Sequence, residues 1–215
     1  MRRGVAAAVL VLLEGSLLSL VSSQRLALGR CPSPPAVDNF DFEDYAGVWF
    51  QVQRYSHPLE FRSPCVSVRY IQREDETNSY DTITRYSGSP HIWSSLSFSG
   101  RLTGVDPTRD LSIFYQSHGF FPRFKTSPRL DSENYRVIFT DYCNVAAVFN
   151  CREFGFFNIQ YLWVMTRDRK PDPNLIFEIR AILLAQGLSV DDLRSTPQDG
   201  CEDEDGTQNS CEEED

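Results

Sequence analysis

Eight short segments rich in β-branched and aromatic residues follow one another between residues 48 and 167, and turn signals separate them. They run near 48–55, 65–73, 79–87, 92–103, 109–117, 134–141, 144–151 and 156–167. The intervening stretches EDETN, SGSP, GVDPTRD, PRFKTSPRLDSEN, DYCN and REFG are mostly rich in Gly, Pro, Asn or Asp, which supply the backbone angles that turns require. Eight strands in succession predict an all-β chain, either a sandwich or an up-and-down antiparallel barrel. One helix is predicted after them in DPNLIFEIRAILLAQG. Asp172 is placed to cap it, Pro173 suits its first position and Gly187 its end. Leu175, Ile176, Ile179, Ile182 and Leu183 recur at helical spacing and form one apolar stripe, which must lie against the outside of the sheet.

At 215 residues the chain is sized for one core. Arg2 and Arg3, an apolar run from Val5 to Leu13 interrupted at Glu14, and Ser22 and Ser23 read as a secretory signal peptide over 1–23, with an uncleaved anchor as the alternative. Six cysteines without a CxxC pair then fit an oxidising, extracellular setting and disulfide staples rather than a zinc site. The formal charge of −9 is mostly local, since the tail 199–215 holds nine acidic residues and no basic one. Without the tail and the signal segment, the body 24–198 carries twenty acids and nineteen bases. No nucleic-acid partner is expected from so neutral a body. The tail reads as a solvated extension, or as a docking segment for a basic partner.

If the eight strands close into a barrel with each antiparallel to the last, Trp49 opens the first strand at one end. Arg167 ends the last strand at that same end, as do Thr140, Asp141 and Tyr142 in the penultimate turn. An indole and a guanidinium meeting there can stack, a contact worth roughly 0.5–2 kcal/mol. Gly47, two residues before Trp49, permits a close backbone approach. Such a barrel is a cup, closed below and open above.

Gly47-Val48-Trp49, Thr140-Asp141-Tyr142 and Arg167, in this order with these strands between them and a helix after, resemble the three signatures of the lipocalins. The segments RCPSPPAVDNFDFEDYAGVW, TDYCNVAAVFNC and FFNIQYLWVMTR are similar to the branch that holds apolipoprotein D and the insect bilin-binding, insecticyanin-like proteins. The likeness runs from about residue 30 to residue 201. It implies an eight-stranded lipocalin-like barrel with the C-terminal α-helix on its outer wall. It also implies disulfides Cys31–Cys151 and Cys65–Cys201, which leaves Cys143 and Cys211 either to pair or to use Cys211 for an intermolecular link. A monomer or a disulfide-linked dimer follows.

By the same resemblance Tyr70, Tyr115, Tyr135 and Trp163 line the cavity. Strand alternation adds Val137, and with Arg167 inward it adds Met165, Tyr161 and Ile159. With Trp49 inward, Gln51, Gln53 and Tyr55 follow it, while Phe50 and Val52 face outward and offer the helix a bed. An apolar pocket with a few polar groups suits one small hydrophobic ligand, such as a fatty acid, sterol, retinoid, carotenoid or bilin. The alternative is a filled barrel that acts through its loops or acidic tail on a protein partner.

The chain has no GxSxG, HExxH, GxGxxG or phosphate loop, so no enzyme is predicted. A free cysteine in the cup could act as a nucleophile, as in the lipocalin prostaglandin isomerase. Against this, Cys65 and Cys151 match bridge positions and Cys143 lies at the closed end. His57, His91 and His118 fit loop or surface positions better than haem ligation, and neither cofactor nor metal is expected. GFFPRFK, with Phe120, Phe121, Arg123, Phe124 and Lys125, reads either as an amphipathic tip for a membrane or lipoprotein surface or as a lid over the cup.

Overall fold

The computed structural model describes residues 25–55, 64–72, 79–86, 96–103, 111–117 and 134–201. The expected signal segment, the GFFPRFK tip, all three histidines and Cys211 lie outside these residues. In chain order the elements are β1 (Arg25–Leu28), α1 (Phe42–Tyr45), β2 (Gly47–Tyr55), β3 (Val66–Gln72), β4 (Ser79–Tyr86), β5 (Leu96–Thr103), β6 (Leu111–Ser117), β7 (Asn134–Thr140), β8 (Val145–Glu153), β9 (Phe157–Thr166), α2 (Pro173–Ala185) and β10 (Leu193–Ser195). The eight strands expected from the sequence are β2 to β9.

Each strand from β2 to β9 pairs antiparallel with its neighbour in sequence, and β9 pairs with β2 as well as with β8. The ladder therefore runs round and returns on itself, so the barrel reading prevails over the sandwich. Within the described residues the β6–β7 ladder covers two pairs, Leu111 with Tyr135 and Ser112 with Asn134. Two short strands escaped the sequence reading. β1 pairs with the start of β9, and β10 lies along Gln53–Tyr55 of β2.

Two apolar clusters result. One lies inside the base of the barrel, around Trp49, Tyr45, Val68, Tyr70, Val148 and Met165. The other lies between the outer wall and α2, where Val52, Val145, Phe149, Leu162 and Val164 meet Ile179 and Leu183. α2 starts where Asp172 accepts a hydrogen bond from the Asn174 N–H, with Pro173 next. It ends with the Leu188 N–H donating to Leu183 O and the Gly187 N–H to Leu184 O. This double bond pattern needs a left-handed residue after the cap, and Gly187 has φ 79°.

The strand alternation read from Trp49 requires a correction. β2 carries an irregularity between Gln51 and Gln53 against β9, so Val52 is an extra residue and the parity shifts beyond it. Gln53 accepts a hydrogen bond from Arg180 of α2, and Tyr55 joins the outer cluster, so both face outward and not into the cup. Arg54, opposite Trp163, takes the inward place instead. Val52 does bed the helix, whereas the outward Phe50 is covered by the Arg169 guanidinium 4.1 Å from its ring centroid.

Tyr55 ties β2 to the segment after α2 by donating to Ser189 O at 2.6 Å. Burial pushes its phenol up to about 12, from an ordinary value of 10.0. The unfolded chain therefore releases this proton first. The stability that the buried phenol contributes is complete below pH 10 and lost as pH climbs towards 12. Tyr55→Phe lacks the group, and comparison with it cancels every other alkaline titration. The melting-temperature gap between wild type and Tyr55→Phe is expected to narrow between pH 10 and pH 12; a gap constant across that window would contradict the assignment.

Cys31 is bonded to Cys151 and Cys65 to Cys201. Cys143 is also disulfide-bonded, its partner lying outside the described residues.

Candidate functional site

The lower end of the barrel is sealed by a local device that starts at Asp41. Its carboxylate accepts from the N–H groups of Glu43 and Asp44 and starts the single turn of α1, which buries Phe42 and Tyr45. The chain then reverses through Gly47, whose φ of 96° would strain any residue with a Cβ. This delivers Trp49 into the barrel fully buried, at 0% exposure, with its indole N–H donating to Tyr45 O at 2.8 Å. Tyr45 in turn contacts Trp49 and Tyr70, with ring centroids 5.1 and 5.0 Å away.

Arg167 arrives from the end of β9 and locks these parts together. Its guanidinium lies 3.8 Å from the Trp49 ring centroid. It also donates to the carbonyls of Val48, Tyr142, Asp44 and Tyr45 at 3.0–3.3 Å. Burial lowers its pKa to about 10, with Tyr45, Asp141 and Tyr70 pulling the other way, so it stays charged at neutral pH. Asp141 shapes the β7–β8 turn beneath it, accepting from the N–H groups of Asn144 and Val145 at 2.8 Å. Thr140 Oγ1 accepts from the Tyr142 N–H, and the Tyr142 hydroxyl accepts from the Asp41 N–H, joining this turn to the start of α1.

Above this floor the wall changes character. Met165 of β9 pairs with Gln51 and with Ala146, Trp163 with Arg54 and Val148, and Tyr161 with Asn150. Antiparallel partners share a face, so all these side chains point inward. At the level of Met165 the inward side chains are buried, Met165 itself to 1% exposure. Two and four residues higher, Trp163 and Tyr161 stay partly accessible, stacked at 5.9 Å.

The residues expected to meet a ligand are thus divided. Tyr70, Val137 and Met165 belong to the buried base, whereas Tyr161 and Trp163 stand above it and are only partly buried. Tyr115 and Tyr135 hold positions opposite Gly100 and Leu111, and only their backbone is among the described residues. The sequence reading missed the inward Arg54, hidden by the bulge, and Asn150, whose position follows from its pairing with Tyr161. Among the described residues no group of His, Cys, Asp or Glu is arranged to hold a metal ion, and no helix is long and apolar enough to cross a membrane.

Fold and floor define a class: an antiparallel barrel with a sealed base and a helix on its outer wall. No protein-family model matches the chain. Mouse (Mus musculus) apolipoprotein D is 24% identical over 188 residues, covering 87% of this chain and 92% of that protein. Rabbit (Oryctolagus cuniculus) apolipoprotein D is 27% identical, covering 86% and 91%. Among solved structures, insecticyanin of the tobacco hornworm Manduca sexta superposes with a TM-score of 0.63 at 16% identity, covering 80% of this chain and 88% of that one. The chain is thus similar in sequence to apolipoprotein D and shares the barrel fold of insecticyanin.

Proposed function

We propose that this chain is a lipocalin that acts outside the cell, holding one small hydrophobic molecule in the upper part of the cup to carry or sequester it. The observation that carries this reading is the step in the wall between Met165, fully packed, and Trp163 with Tyr161, stacked yet accessible inside the barrel. A barrel filled by its own side chains would bury those two rings as completely as it buries Trp49. An aromatic wall over an apolar base suits a lipid-like molecule and offers no group for covalent chemistry. The relatives named apolipoprotein D agree with a lipophilic cargo.

Contact quenching tests the reading. A brominated long-chain fatty acid or alcohol is expected to quench tryptophan emission as it fills the cup. Trp163→Phe should reduce that quenching and weaken binding, because Trp49 is buried within the floor cluster; the third tryptophan, Trp93, is common to both proteins and sets the remaining signal. Unchanged quenching and affinity in Trp163→Phe would show that the ligand does not sit against this wall.

A further inference from the structure

Two amide side chains face the interior of the cup, and the carbonyl oxygen of each makes no hydrogen bond. Gln51 is 4% exposed and lies opposite Met165; Asn150 is 9% exposed and lies opposite Tyr161. Gln51 Oε1 and Asn150 Oδ1 are both sealed from solvent and accept no hydrogen bond. Arg54, on the same inner face between them, has an interaction of its own, while its Nη1 atom makes no hydrogen bond. A buried carbonyl oxygen without a donor has lost its water and gained nothing, a cost that folded proteins rarely tolerate without a reason. The two oxygens bracket Trp163 along the wall, one at the level of Met165 and one at the level of Tyr161.

We propose that Gln51 and Asn150 are the polar anchor of the cup, and that the ligand is a hydroxyl-bearing lipid whose O–H donates to one of these oxygens. The inference rests on the carrier reading above and narrows it from any apolar molecule to an alcohol. Its hydrocarbon part lies against Tyr161 and Trp163. A site built around unpartnered acceptors rejects an analogue that lacks the donor, because the oxygen then remains buried and unpaired. Apolar contact alone discriminates far less. An ionised carboxylate has no proton to donate and fits these two oxygens worse than the alcohol does.

The test is displacement of a dansyl-labelled fatty acid from the wild-type protein by hexadecanol, by hexadecyl methyl ether and by palmitate. Hexadecanol is expected to displace the probe at a concentration about tenfold lower than the ether, and lower than palmitate. In Gln51→Leu or in Asn150→Leu the ratio of alcohol to ether should fall to about one. That same variant, relieved of an unpaired buried oxygen, should melt about 2–4 °C higher when ligand-free, whereas a merely structural amide would lower the melting point on removal. Equal displacement by alcohol and ether, stronger displacement by palmitate, or a ratio that survives in both variants would overturn the anchor. A probe that binds while alcohol and ether compete equally would sink the anchor alone. Failure of the probe and of every lipid to bind would sink the carrier reading with it.

Discussion

Replacing Cys65 and Cys201 together by Ala is expected to remove about 4–5 kcal/mol of stability, enough to leave much of the protein unfolded at body temperature. The bridge joins residues 136 apart, and the Cys31–Cys151 bridge joins residues 120 apart. In the chain-entropy picture, loops of this length restrict the unfolded chain the most, and the enclosed length sets the figure. The positions give a structural reason as well. Cys65 opens β3 in a left-handed conformation, with φ 56°, and its N–H donates to Pro197 O. The bridge therefore fastens the segment after β10 against the barrel at the point where Gln198 donates to Gln51 O and Val66 O. Denaturant unfolding of the double variant under oxidising conditions measures the loss. A cost below about 1 kcal/mol would mean that the hydrogen bonds around Gln198 hold this closure without the covalent link. We further propose that Cys143 pairs with Cys211, and peptide mapping of the unreduced protein checks that pairing.

The sequence was easiest to read where local chemistry decides the structure. Strands β2 to β9 are rich in β-branched and aromatic residues and most are separated by Gly, Pro, Asn or Asp, and α2 is bounded by Asp172, Pro173 and Gly187, so each element announces its own limits. Short elements did not. β1 has four residues, RLAL, and β10 has three, too few for any period to show; both exist because they pair with β9 and β2. α1 is a single turn set by Asp41, and its purpose emerges only when Tyr45 meets Trp49 and Tyr70. The bulge at Val52 is the clearest failure. Strand alternation is a reliable guide until one residue is inserted, after which every later side chain reverses. Nothing in GVWFQVQRY marks where β9 forces that insertion, so Gln53 and Tyr55 were assigned to the wrong face and Arg54 was overlooked. The pairings Cys31–Cys151 and Cys65–Cys201 are legible only through family likeness, because six cysteines admit fifteen arrangements and spacing alone selects none.

Arg167→Ala is expected to cost about 3–5 kcal/mol, and the reason is that one side chain closes the cup from four directions. Its guanidinium donates to backbone carbonyls of the α1 segment, of β2 and of the β7–β8 turn, and it covers the Trp49 ring. Removing it leaves these carbonyls short of donors in a place that water reaches poorly, each at a cost of about 1–3 kcal/mol unless the floor rearranges. Rearrangement caps the total below a simple addition, since contacts sharing one residue are not independent. Arg167→Lys separates charge from geometry. The ammonium keeps the cation over Trp49 but cannot aim at carbonyls on three segments at once, so the variant should recover less than half of the loss. Trp49 lies beneath the ligand space and Trp163 beside it, so opening the floor should also change the emission of Trp49 in the ligand-free protein. Thermal melts of the two variants, with emission spectra, decide the matter. If Arg167→Lys were as stable as wild type, the floor would need only a positive charge, and the hydrogen bonds to the three segments would be incidental.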